Sequence, residues 1–116
     1  MDAFESLDVW RRGCRLAVDI YKILPNSKDY GFKDQVFRSA LSVSSNVAEG
    51  YERGSRREFI RFLHIAKGSC GELRTQLYIG IETGILDGGA AHACAKEAAE
   101  ISRMLQGLIT KLQSSN

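Results

Sequence analysis

Proline is nearly absent from this 116-residue chain, with Pro25 its only example. Long apolar runs are absent too: no stretch of 18 residues would cross a bilayer, so no membrane partner is expected. The opening Met1-Asp2-Ala3-Phe4-Glu5 is acidic, where a secretory leader would be basic and then apolar. Cysteine is sparse and odd in number. Cys14, Cys70 and Cys94 lie far apart with no Cys-x-x-Cys pair, which disfavours a disulfide framework and suits buried free thiols in a reducing compartment. Together these absences predict a cytoplasmic protein. An excess of one charge is also missing: 16 Lys and Arg stand against 14 Asp and Glu, a net +2. Total charge therefore does not announce nucleic-acid binding, and its distribution has to decide.

Recognisable catalytic chemistry is missing as well. His64 and His92 have no Cys or carboxylate at metal-ligand spacing, and neither has the Glu three residues before it that a di-iron helical bundle needs. Gly68-Ser69-Cys70-Gly71 lacks the lysine of a phosphate loop, and Ser69 has no evident base. The reading is of no enzyme, no metal, no cofactor and no small-molecule substrate.

What is present is helical periodicity. Leu7, Trp10, Cys14, Ala17, Tyr21 and Leu24 alternate steps of three and four, predicting a buried stripe on a first helix that Pro25 ends. Pro25 to Gly31 has loop composition. A second helix is expected from about Phe32 to Arg53, burying Val36, Phe37, Ala40, Leu41, Val43, Val47 and Ala48. Gly54 then turns the chain, and Ser55 with Glu58 forms a capping box for a third helix from Arg56 to about Thr83. That helix carries Phe59, Phe62, Leu63, Ala66, Cys70, Leu73, Leu77 and Ile81 on one face and closes at Gly84. After Gly89, a fourth helix shows Cys94, Ala98, Ile101, Leu105, Leu108 and Leu112, before a frayed Ser114-Ser115-Asn116 end. Short connections force antiparallel neighbours. The expected fold is all-α, an antiparallel up-down-up-down four-helix bundle forming a single domain over 1–116.

Three features point outward. Gly13, Gly50, Gly68, Gly71, Gly80 and Gly107 fall inside helices at a combined cost of about 3–6 kcal/mol, which asks for close backbone approaches in return. On the third helix Gly68 and Gly71 lie opposite the core stripe, with Ile60, Ile65, Tyr78 and Ile79 flanking them. That leftover apolar surface predicts self-association. Gln35, Ser39, Ser42, Asn46, Glu49 and Arg53 border the second helix, either as a solvated face or as a polar seam. In the seam reading Asn46 and Glu49 bond to Glu72 and Gln76 of the third helix, and the Glu49–Glu72 pair is the only place for acid–base chemistry. Arg53, Arg56, Arg57, Arg61 and Lys67 gather at the corner between helices two and three against Glu52 and Glu58, five cations to two acids. The macrodipole disfavours arginines in a first helical turn, so phosphate contact or an acidic patch on another subunit would explain Arg56 and Arg57.

Several segments resemble one family. Phe4-x-x-Leu7-x-Val9-Trp10, Tyr30-Gly31-Phe32-x-x-Gln35, Asn46-Val47-Ala48-Glu49-Gly50 with Arg53, and Gly68-Ser69-x-x-Glu72-Leu73-x-x-Gln76-Leu77 are similar to proteins encoded in intervening sequences of bacterial 23S rRNA genes. Phe37-Arg38 stands where relatives commonly show two basic residues. The resemblance implies a four-helix bundle in a ring-like homopentamer without enzymatic activity. Relatives include the accessory variability factor of diversity-generating retroelements, which partners a reverse transcriptase and its RNA template. The functional expectation is a self-associating bundle that binds RNA or a ribonucleoprotein through Arg53, Arg56, Arg57 and Arg61. The alternative is an oligomeric protein scaffold without nucleic-acid affinity.

Overall fold

The computed structural model describes residues 3–114, so Met1 and Asp2 of the acidic start, and Ser115 and Asn116 of the expected frayed end, lie outside the described residues. A single 3₁₀ turn, Phe4–Ser6, leads into α1 (Asp8–Ile23), α2 (Tyr30–Glu52), α3 (Arg56–Glu82) and α4 (Gly88–Gln113). No strand occurs among the described residues. Helix α2 starts two residues before the expected Phe32, taking in Tyr30 and Gly31 from the predicted loop. Lys33 secures that junction, donating from Nζ to the carbonyls of Pro25 at 3.1 Å and Ser27 at 2.6 Å.

Paired residues establish the helix directions. Gly13 faces Ser44, and Tyr21 packs against Phe37 at 5.5 Å between ring centres with the rings tilted by 56°, so α1 and α2 run antiparallel. Gly50 faces Phe62 while Ser42 meets Ser69, which makes α2 and α3 antiparallel. Lys67 with Gln106 and Tyr78 with His92 do the same for α3 and α4. Consecutive helices pack together and α4 returns to α1, giving an up-down-up-down bundle of 49 × 21 × 19 Å. Arg12 ties that last pair, donating to the Glu97 carboxylate from Nε at 2.8 Å and from Nη2 at 2.7 Å.

The core follows the predicted stripes on α3 and α4 closely. Phe62, Leu63, Ala66, Cys70, Leu73 and Leu77 are buried, as are Cys94, Ala98, Ile101 and Leu105. The α1 stripe is displaced. Val9, Leu16, Ala17 and Ile20 fill the core, whereas Tyr21 is 67% exposed and Cys14 half-buried. On α2, Leu41 likewise faces outward at 42% exposure instead of joining Val36, Ala40, Val43 and Val47.

Candidate functional site

The corner between α2 and α3 forms as the sequence implies. Gly54 takes φ +81°, a left-handed conformation that a side chain would strain. Ser55 is extended, and its hydroxyl accepts from the Glu58 N–H at 3.1 Å. The second half of the capping box is replaced by ion pairs. The Glu58 carboxylate accepts from Arg61 Nε at 3.0 Å and Nη2 at 3.2 Å, and lies 3.9 Å from Arg53. The Arg61 hydrogen bond, more than the charges of Arg53 and Arg57, holds the Glu58 carboxyl below its ordinary pKa and raises that of Arg61 in return. A cation draws the carboxylate more strongly than the neutral Ser55 amide does.

Arg53 and Arg61 are thus engaged within the chain. Arg53 pairs with Glu49 at 3.1 Å, and the Arg53 and Arg61 guanidinium groups lie 4.9 and 4.5 Å from the centre of the Phe62 ring. Arg56 and Arg57 are exposed on the opening turn of α3 and line a shallow cleft with Ile60, Leu112 and Gln113. Arg57 joins no ion pair among the described residues. Lys67 is not part of the patch, because its ammonium turns to α4 and donates to Gln106 at 2.8 Å. Arg53, Arg56, Arg57 and Arg61 against Glu49, Glu52 and Glu58 leave a local net charge of +1, smaller than the sequence tally.

The expected polar seam is built from other residues. The α2–α3 register sets Gly50 against Phe62 and Ser42 against Ser69, so Asn46 lies opposite residue 66 and Glu49 opposite residue 63. At a rise of 1.5 Å per residue, Glu72 is about 9 Å and Gln76 about 15 Å along α3 from the point facing Asn46. Asn46 instead donates to the Ser42 carbonyl at 2.7 Å and its hydroxyl at 2.8 Å. Ser42 and Ser69 share a 2.8 Å hydrogen bond, and Ser69 also donates to the Ile65 carbonyl at 3.1 Å. Glu49 and Glu72 are both exposed, about 13 Å apart along the axis, and form no carboxylate pair. The Gln76 Oε1 atom is buried without a hydrogen-bond partner among the described residues.

Leftover apolar surface is present, in two places. Ile65, Tyr78 and Ile79 on α3 are 41, 43 and 51% exposed. Gly68 and Gly71 face open space, with nothing within 4 Å of the position a Cβ would take. Ile60, also expected outside, is half-buried and packs on the core. The second place was not anticipated. Cys14, Ala17, Val18, Tyr21, Phe37 and Leu41 line an apolar groove of about 460 Å³ between α1 and α2. Its signal was in the sequence: α1 carries Val9, Leu16 and Ile20 as well as Trp10, Cys14, Val18 and Tyr21, more apolar residues than one stripe holds.

Among the described residues, no group of three His, Cys, Asp or Glu side chains gathers to hold a metal, and no helix is long and apolar enough to cross a membrane. His64 and His92 are exposed, with His92 beside the Tyr78 ring.

No curated protein matches the chain. Among solved structures it is similar to a protein of unknown function from the S23 ribosomal protein family of Bacteroides thetaiotaomicron, with 28% identity and a TM-score of 0.81 over 87% of this chain and 97% of that one. The match to the 23S rRNA-intervening sequence protein family runs over residues 5–107, from the 3₁₀ turn into the second half of α4, and the chain belongs to that family.

Proposed function

We propose that this chain is a non-enzymatic, self-associating helical bundle that binds RNA or a ribonucleoprotein through the α2–α3 corner. The observation that carries this reading is the placement of Arg56 and Arg57. Both are exposed on the first turn of α3, where the macrodipole works against a cation by roughly 0.3–1 kcal/mol. A phosphate there meets guanidinium forks and the open N–H groups of the helix start together. Arg53 and Arg61, held by Glu49 and Glu58, flank the contact and supply little free charge of their own. Self-association is supported by the exposed apolar residues on α3 and in the α1–α2 groove. The finer form of the reading is a homopentamer with a partner of the kind the accessory variability factor takes, a reverse transcriptase with its RNA template.

Binding of a labelled structured RNA, titrated at several salt concentrations, tests the reading. Affinity is expected to fall steeply with salt. The R56E/R57E double variant should lower affinity at least tenfold and flatten the logarithmic salt slope by roughly 1–2, with oligomer size unchanged. Undetectable or salt-independent binding refutes it. A second reading, a protein scaffold without nucleic-acid affinity, is favoured by the internal pairing of Arg53 and Arg61. Under that reading the same double variant breaks the oligomer apart.

A further inference from the structure

We propose that copies of this chain join by seating the outward stripe of α3 on one copy into the α1–α2 groove of the next, an inference that rests on the self-association reading above. The stripe consists of Ile65, Gly68, Glu72, Thr75 and Ile79. These residues follow one another at intervals of three, four, three and four, the spacing of a coiled-coil seam, and all five are exposed. Gly68 leaves the backbone bare, with nothing within 4 Å, so another helix can approach closely there. The Thr75 hydroxyl is turned inward to donate to the Gly71 carbonyl at 2.9 Å, satisfying its polar group within the helix. A seam with this spacing is made to pack against helices, and its own bundle offers none on that side.

The groove is its natural counterpart. Cys14, Val18, Tyr21, Phe37 and Leu41 give it walls that are almost wholly apolar, and it runs between two antiparallel helices. One copy cannot fill its own groove, because α1 packs on α2 and α4 and not on α3. The charges on the two faces are also opposite. The α1 rim carries Arg15 and Lys22, with Asp19 between them, and Arg11 already pairs with Asp8. The α3 stripe carries Glu72, and Glu82 follows it one turn on. Among the described residues Arg15, Lys22, Glu72 and Glu82 form no ion pair. Exposed apolar surface and net charge of opposite sign, Arg15 and Lys22 against Asp19 on the rim and Glu72 on the stripe with Glu82 beyond it, therefore lie on different faces of one molecule. Contact between unlike faces is heterologous, so each copy uses both faces and the assembly closes as a ring or extends as a filament.

Two exposed substitutions test the pairing: Leu41→Asp disables the groove and Ile79→Asp disables the stripe. Each variant alone should be monomeric by light scattering at concentrations where the unchanged chain assembles. Mixed in equal amounts, they keep one intact groove and one intact stripe between them, and should form a dimer of about twice the 12.9 kDa protomer. If either variant assembles like the unchanged chain, or the mixture stays monomeric, the proposal is overturned while self-association stands. An unchanged chain that is itself monomeric overturns the self-association reading instead. Should an aspartate variant fail to fold by circular dichroism, charge reversal at surface positions replaces it. Arg15→Glu with Lys22→Glu, or Glu72→Lys with Glu82→Lys, should each weaken assembly at least tenfold, and combining all four in one chain should restore it. Lack of restoration overturns the pairing.

Discussion

Adding one methyl group at Gly50 sets helix propensity against packing, and the structure decides which prevails. Alanine is favoured over glycine inside a helix by about 1 kcal/mol. At Gly50, however, the new Cβ would fall 2.5 Å from the Phe62 Cβ and 3.3 Å from the Phe59 carbonyl oxygen. Carbon atoms pack at about 3.5–4.0 Å, so α2 and α3 would have to part by roughly 1 Å at this crossing. The clash is with an atom fixed to the backbone, which no rotamer change can relieve. Overpacking of this kind costs about 1–3 kcal/mol, and a contact so short belongs at the top of that range. Gly50→Ala is therefore expected to destabilise the fold by about 2 kcal/mol net. The same substitution at Gly71, where nothing lies within 4 Å, should stabilise it by about 1 kcal/mol. Urea unfolding should place the two midpoints on opposite sides of the unchanged chain, with equal slopes. A Gly50→Ala chain as stable as the Gly71→Ala chain would refute the close-approach account of the helical glycines. Gly80→Ala supplies an internal control. It meets Leu86 Cδ1 at 2.5 Å, Leu86 Cγ at 2.8 Å and Phe32 Cζ at 2.9 Å, side-chain atoms beyond Cβ that a rotamer change can move, and should cost less than Gly50→Ala.

Three further outcomes follow from single contacts. The Arg12–Glu97 pair, with side chains 38 and 33% exposed, should show a coupling of about 1 kcal/mol in a double-mutant cycle; its two hydrogen bonds place it at the upper end for partly solvated pairs. Ser69→Ala removes hydrogen bonds to Ser42 and to the Ile65 carbonyl and should cost about 1 kcal/mol in urea unfolding, with Ser42 still held by Asn46. Burial pushes the Cys70 thiol from 9.0 up to about 11, so above pH 9 the unfolded chain holds fewer protons than the folded one and stability falls as pH climbs towards 11. That loss is bounded at about 3 kcal/mol, and the Cys70→Ala chain, compared by urea midpoint at each pH, should lack it.

The bundle was legible because the features that define it are local. Gly54 and Gly84 sit at positive φ where the chain leaves α2 and α3, Ser55 caps α3, and the α3 and α4 stripes bury nearly the residues their spacing selects. The polar seam was not legible, because it depends on how far α2 slides along α3. Sequence places Asn46 and Glu72 on facing sides but carries no record of the Gly50–Phe62 crossing, which separates them by about 9 Å along the axis. The Arg12–Glu97 link was missed for the same reason: 85 residues separate its ends, and only the return of α4 to α1 brings them together.

Helix α1 shows the limit most sharply, and its misreading bears on function. Two apolar stripes overlap on it, one through Trp10, Cys14, Ala17 and Tyr21 and the other through Val9, Leu16, Ala17 and Ile20. Periodicity cannot rank them, since both have helical spacing. Packing can: α1 touches both α2 and α4, so the buried stripe must face the space between those helices. Trp10 survives the shift by packing edge-on against Phe4 at the bundle end, while Tyr21 is left against Phe37 on the rim of the groove. The surplus apolar surface that α3 alone was expected to carry is thereby divided between two faces. A single sticky stripe meets its own copy most simply across a two-fold axis, whereas two unlike faces permit each chain to hold two neighbours at once.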